Sequence, residues 1–387
     1  MLEPLGQSQV LAYLKPLSSD RVIHLISFEK AEDWSNLAER MRITKEVADS
    51  GILWHPLRYH KHPSVLATAW DIACGTVLGL WLILRFQLQM VHARSYVPSV
   101  IALVIKWLTG AKYLFDMRGF WVDERVDGGM WQRKSNIFRI AKFFEQRFLI
   151  SADHVISLTQ AAVNEIERFP YLQGRMPQIT VIPTCADLNL FAPGPANNSG
   201  RGFVLGYVGS AGTWYLFDEV ITTFRQLLRM RPDAYFLVVN RGEHDYIKER
   251  LVAGGIPNAN VEVITAKHRE VPAQIARMNA GVFFIKPVFS KQASAPTKLA
   301  EFLGCGVPCL SNVGVGDMAE ILEDEKVGVA LTTFESTTRA IALSRLIELA
   351  EDSHTRERCV SVARSRFSLD AGVYRYSMAY QKIADEK

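Results

Sequence analysis

The sequence predicts an α/β protein of two doubly wound, Rossmann-like domains facing each other across a cleft. Short β-rich apolar runs alternate with longer helical patterns, and strands separated by helices imply a parallel sheet covered on both faces. The alternation pauses at ITVIPTCADLNLFAPGPANNSGRG, where Pro, Gly, Asn and Ser gather after Phe191, and resumes at FVLGYVGS. With 387 residues, 49% of them apolar, each unit can bury its own core. The expected boundaries are 1–192 and 200–369, with a C-terminal helix over 370–387 packing back on the first domain.

The elements follow in order. VIHLISF reads as a strand leading to a helix from Ala31, MVHARS as a strand before the helix VPSVIALVIKWL, and KYLFDM as the next strand. HVISLT with AAVNEIERF completes the first series. FVLGYVGS, YFLVVN, VEVIT, GVFFIK and VPCLSN open the second. Between Asp71 and Arg85 the run IACGTVLGLWLIL spans 13 residues. That is below the roughly 20 needed to cross a bilayer, so a buried or interfacial helix is expected. WQRKSNIFRIAKFFEQRF places Ile137, Ile140, Ala141, Phe144 and Phe148 on one stripe, with Arg133, Lys134, Arg139 and Lys142 mostly elsewhere. It reads as a core helix with a solvated basic face, or as a membrane contact through 131–148.

Composition excludes several classes. Lys plus Arg number 44 against 40 Asp plus Glu, too even for a nucleic-acid partner, though the mildly basic balance suits anionic substrates or lipid headgroups. The five cysteines are scattered without a CxxC pair, which favours reduced thiols. MLEPLGQSQV has neither a basic start nor an apolar core, so a cytoplasmic location is expected. His60 and His62 form an HxH without a third ligand nearby, EDE at 323–325 reads as a solvated turn, and no DxD ends an apolar strand, so no metal is expected. GYVGSAG spaces its glycines as GxxGxxG, which is not the dinucleotide fingerprint.

Ligands of open parallel sheets bind at the carboxyl ends of strands. One such place is SAPTKLAEFLGCGVP, residues 294 to 308. Pro296 favours a helix start there, and a helix start attracts phosphate. Ser294 and Thr297 flank that start, Lys298 adds a full positive charge in the first turn, and Glu301 follows on the same face. Together they offer a phosphate grip and, one turn away, an acceptor pair suited to ribose hydroxyls, a combination that fits a nucleoside diphosphate. An ordinary i, i+3 ion pair on an exposed face is the alternative. GVGD at 314–317 supplies a second glycine loop at the same cleft.

PTKLAEFLGCGVP, the preceding FIKPVFS, VIPTCADLNLF, YVGSAGTWY and EPLGQSQVL together resemble the family-4 retaining glycosyltransferases with the GT-B fold, in the right order over nearly the whole chain. The resemblance implies that Glu301 binds the donor ribose and that the loop at Gly6 lies against the donor diphosphate and acceptor. The family often carries two Glu eight positions apart, and the first would fall at Ala293. Ser210 stands where the family has a basic residue, leaving Lys298 as the phosphate ligand. Arg118, in FDMRGFW, takes the place of a sugar-contacting His; it could hold an anionic acceptor group or be a structural Arg paired with Asp116 or Glu124. Family members have a β-strand before EPLGQSQVL, so a late start or a truncation is expected, with two strands short of a partner and reduced stability or activity.

The expected activity is transfer of a sugar, with retention, from a nucleotide diphosphate sugar to a saccharide or polyprenyl-linked acceptor, in surface polysaccharide or glycolipid synthesis at the inner face of the membrane. Lys298 and Arg118 are the candidate catalytic residues. Gly6, Gly209, Ser210, Ser294, Thr297, Lys298, Glu301 and Gly314 are candidate donor contacts, and Arg94, Asp116, Trp121 and Glu124 line the acceptor side. A nucleotide-sugar epimerase and a non-catalytic sugar-nucleotide-binding protein are the alternatives.

Overall fold

The computed structural model describes residues 1–195 and 202–385; part of the expected linker, 196–201, and the last two residues of the expected C-terminal helix lie outside the described residues. The strands are β1 (His24–Glu29), β2 (Leu53–Arg58), β3 (Met90–Arg94), β4 (Lys112–Asp116), β5 (His154–Ser157), β6 (Gln178–Val181), β7 (Val204–Val208), β8 (Tyr235–Val239), β9 (Val261–Ile264), β10 (Ala280–Val282), β11 (Cys309–Asn312) and β12 (Gly328–Leu331). The helices that matter below are α1 (Leu37–Asp49), α2 (Ser64–Phe86), α3 (Tyr96–Thr109), α4 (Trp121–Asp127), α5 (Asn136–Ser151), α6 (Gln160–Ile166), α7 (Thr297–Gly304) and α8 (Leu369–Asp385).

The second domain is one parallel sheet in the order β12-β11-β10-β7-β8-β9. Its order reverses between β7 and β10, so the loops leaving those two strands diverge and leave a crevice, the usual ligand position in such sheets. Strand β7 is buried along its whole length and β8 along all but its first residue, which is why they read as largely apolar runs, and β11 is buried throughout although it ends in Ser311 and Asn312. β12 was not among the strands expected from the sequence.

In the first domain the strands form two parallel sheets, β1-β2 and β3-β4-β5-β6, and among the described residues no strand joins β1 to β3. Helix α2 spans the two sheets instead. Its Gly75 lies where an added Cβ would come within 2.6 Å of Ile101 on α3 and 3.0 Å of Phe28 on β1, and Gly79 repeats the close approach to Ile105. Strand β2, which was not among the strands expected, contains Pro56; it pairs with β1 alone, and an edge position tolerates the missing N–H. Strand β6 continues directly into the segment that was expected to be linker.

Helix α8 lies on the first domain. The Tyr376 hydroxyl donates to Asp116 Oδ2 at 2.9 Å, and the Tyr380 hydroxyl meets His92 Nδ1 at 2.7 Å. All five cysteines are free thiols. EDE at 323–325 is not a solvated turn: Glu323 and Asp324 end a helix, Glu323 pairs with Arg345 and accepts from the Ala330 N–H, and Glu325 pairs with Arg366. His60 is occupied by Asp71, at 2.6 Å. On α5 the stripe is rotated from the expected one. Phe148 and Leu149 are buried, whereas Ile137 and Ile140 face outward.

Candidate active site

Helix α7 begins after Pro296, whose φ of −67° fits a helix start and whose side chain offers no cap. The first N–H groups of the helix are therefore left without a side-chain acceptor. Leu299, Phe302 and Leu303 sink into the core of the second domain and fix the helix against β10 and β11. That burial carries Lys298 inward with them. The residue is only 8% exposed, and its ammonium lies 3.5 Å above the Tyr215 ring and 4.5 Å from the Tyr207 ring, with the Ser210 carbonyl at 3.4 Å.

Among the described residues no carboxylate lies within ion-pair distance of Lys298, so the sequence's alternative of an i, i+3 ion pair with Glu301 is not realised. A desolvated cation–π contact returns about 2 kcal/mol, while taking an ammonium out of water costs several. Burial wins and lowers the Lys298 pKa to about 7, although Glu301 and Glu243 act in the opposite direction. Burial likewise raises Glu301 to about 7, with Lys298 opposing it. A cation and a carboxylate one turn apart, each strained toward its neutral form, make a place that an anionic ligand with hydroxyl groups would satisfy.

The loop after β7 completes this wall. Gly209 has φ +96°, and a Cβ there would lie 2.9 Å from Lys298 Cε, so glycine is needed both for the turn and for the lysine to pass. The loop is held by a residue the sequence reading did not single out. Glu243 accepts from the N–H groups of Ala211 at 3.0 Å and Gly212 at 3.1 Å and from Asn240 Nδ2 at 2.9 Å. Burial alone would raise the Glu243 pKa, but these donors hold it below the usual carboxylate value. Tyr215 and Tyr207 were also missed, since an aromatic in a strand or turn gives no sign that its ring will face a lysine.

Gly209, Ser210, Lys298 and Glu301 thus converge, and Ser294 and Thr297 sit half-buried at the entry to α7. Ser294, Pro296 and Asp317 line a cavity of about 20 Å³ between the domains, with Thr159 opposite. Gly314 turns at φ +83° against Pro287, while Gly316 in the same loop makes the closer approach: a Cβ there would stand 2.3 Å from the Ser294 carbonyl.

The opposing wall differs from expectation in several places. Asp116 is fully covered and faces no cleft. It accepts from Arg94 Nη1 and from Tyr376, both at 2.9 Å. Burial would raise its pKa, yet Arg94, with help from His92 and Arg118, holds the carboxyl well below its ordinary value. Arg94→Met should therefore destabilise the fold by about 3–5 kcal/mol, read by urea unfolding, because a buried carboxylate loses its cation.

Arg118, at φ +56°, pairs with neither Asp116 nor Glu124 and among the described residues donates a hydrogen bond to Thr184 Oγ1 at 3.4 Å. Glu124 instead receives Lys291 Nζ at 2.7 Å from across the cleft, and that lysine also caps the Trp214 ring at 3.8 Å. Trp121 packs between Tyr96 and Trp131. Gly6 is helical, φ −61°, and with Arg94, Phe28, Glu29 and Tyr59 lines a cavity of about 300 Å³ at the carboxyl ends of β1 and β3.

The residues from Phe289 to Ala293 tie the domains together. Ser290 N–H donates to Asp127 at 2.9 Å, Thr159 Oγ1 to the Gln292 carbonyl at 2.6 Å, and Phe120 stacks on Phe289 at 5.1 Å. Asp317 answers from the second domain by accepting the Gln160 and Ala161 N–H groups at the start of α6, at 2.7 and 2.8 Å. Ala293, where the resembled family often has a Glu, is buried beside Gly119.

Residues 34–185 match the glycosyl transferase 4-like domain. No curated protein matches the chain. Solved structures with the same fold include a glycosyltransferase from Rickettsia africae, with a TM-score of 0.70 at 14% identity over 99% of this chain and 97% of that one. The HepE protein of Anabaena in complex with UDP-glucose aligns with a TM-score of 0.66 at 16% identity, over 99% of this chain and 97% of that one. A sucrose-phosphate synthase from Thermosynechococcus elongatus gives 0.67 at 14% identity, covering 95% of this chain and all of the other. All share the arrangement of two Rossmann-like domains.

Proposed function

We propose that this family-4-like glycosyltransferase, built on the GT-B fold, moves a sugar with retention from a nucleoside diphosphate donor to a saccharide or lipid-linked acceptor. The observation that carries the reading is the buried, carboxylate-free ammonium of Lys298 at the start of α7. A diphosphate placed there holds Lys298 as the ammonium and meets uncapped N–H groups in a water-poor site. As the bond from the anomeric carbon to the phosphate oxygen breaks, an acceptor hydroxyl forms the new bond and its proton passes to that oxygen. Lys298 stabilises the charge that develops, Glu301 holds the ribose, and Arg118 faces the acceptor. Anabaena HepE, with UDP and glucose bound in a fold of this kind, supports a nucleotide-sugar donor.

The setting proposed is the synthesis of a surface polysaccharide or glycolipid on the cytoplasmic side of a membrane, with no metal taking part. The segment 131–148, with Arg133, Lys134 and Arg139 exposed beside Ile137 and Ile140, supports contact with lipid. A panel of nucleotide sugars screened by thermal shift, followed by nucleotide release with free and lipid-linked acceptors, tests the reading. Release that requires an acceptor is expected. Conversion of the donor without acceptor would indicate an epimerase, and binding without turnover a non-catalytic protein.

Donor binding should also depend on pH. With Lys298 at about 7 in the empty site, a bound diphosphate favours the ammonium and raises that value, so binding takes up a proton. Affinity for a nucleoside diphosphate should fall as pH rises above about 7, measured by calorimetry, and Lys298→Arg should flatten the dependence.

A further inference from the structure

Helix α2 is longer than the 13-residue apolar run suggested, and most of it is uncovered. Val65–Phe86 is 22 residues long with a mean hydropathy of 1.6, yet only a third of its most apolar stretch is buried. Leu66, Trp70, Val77, Trp81 and Leu84 recur at steps of three, four and seven, so they share one face, and each is more than half exposed. On the neighbouring helix α3, Trp107 is 62% and Leu108 66% exposed. A soluble surface of this size needs an explanation.

The charges around it say what covers it. Helices α2, α3 and α5 pack in sequence on one face of the first domain and carry two carboxylates, Asp71 and Glu145. Both are buried and occupied, Asp71 by His60 and Glu145 by Lys142 and Tyr96. Among the described residues these three helices therefore expose no negative charge. Arg85, Arg139 and Arg147 are exposed on them, and Arg133 and Lys134 lead into α5. An apolar centre with tryptophans, on helices whose exposed charges among the described residues are all cationic, complements a bilayer rich in anionic lipid.

We propose that α2 and α3 form a monotopic membrane-embedding face, α2 lying in the plane of an anionic bilayer with the basic side of α5 at its margin. Crossing the bilayer is disfavoured by the other side of the same helix. Gly75 and Gly79 are in tight contact with Phe28, Ile101 and Ile105, and spanning would strip these contacts and carry Asp71 into hydrocarbon. This inference does not depend on the sugar-transfer reading, because binding to lipid is measured without donor or acceptor.

The test is flotation of the full chain with vesicles of phosphatidylcholine, alone or mixed with phosphatidylglycerol. Strong binding to the mixed vesicles is expected, with tryptophan fluorescence quenched by lipids brominated in the acyl chain. The double variant Trp81→Glu/Leu84→Glu, on exposed positions, should lower partitioning by about tenfold or more. Arg139→Glu/Arg147→Glu should remove the preference for phosphatidylglycerol. Thermal unfolding checks that each variant is folded, and Trp107→Glu replaces the double variant if it is not. Failure of the wild-type chain to bind either vesicle would overturn the proposal, as would undiminished binding by the variants. A dimer in solution that Trp81→Glu/Leu84→Glu dissociates would overturn it too, by assigning the face to a second copy of the chain.

Discussion

Replacing Lys298 with methionine is expected to slow sugar transfer about 10²–10³-fold, the usual effect of removing one preorganised group from the site of developing charge. The loss should fall mainly on kcat, since the charge on the leaving diphosphate grows as the glycosidic bond breaks. The stability of the empty protein should move the other way or not at all. In the native chain the ammonium is buried over two tyrosine rings without a carboxylate within ion-pair reach, and methionine fills similar space without the desolvation cost. A variant that melts no lower than wild type and yet has lost transfer would separate a functional cation from a structural one. Kinetics and thermal unfolding on the same preparations give both values.

The second large effect is on donor affinity. Glu301→Gln keeps the shape of the side chain but removes its full acceptor charge, and the KM for the donor should rise about tenfold while kcat changes little. The same substitution removes the first of the two carboxylates that oppose the burial of Lys298, so the pH above which the diphosphate is lost should move down. Steady-state kinetics at two pH values reads both effects. A KM equal to that of wild type would take the ribose away from Glu301.

Much of this was legible in the sequence because it rests on local patterns. The segment from Ser294 to Pro308 shows its helix start, its buried side and its two charged groups within a few residues, and α7 forms as that pattern requires. Largely apolar runs likewise marked β7 and β8. What stayed hidden depends on the third dimension. Asp116 reads as a polar group at the end of a strand, and only the return of α8 places Tyr376 over it and turns it into a buried anchor for Arg94. Glu124 finds Lys291, 167 positions away, in place of Arg118. Glu243 looks like a loop carboxylate until the β7 loop folds onto it. The sequence left α2 open between a buried and an interfacial helix for a related reason: apolar residues at helical spacing look the same whether a protein core or a lipid surface awaits them.

The reading of the site is tested most directly by determining the structure of the chain with a nucleoside diphosphate bound. The diphosphate is expected at the first turn of α7, with a phosphate oxygen within about 3.2 Å of Lys298 Nζ and the ribose hydroxyls on Glu301. A diphosphate seated elsewhere, with Lys298 still enclosed by Tyr207 and Tyr215, would contradict it.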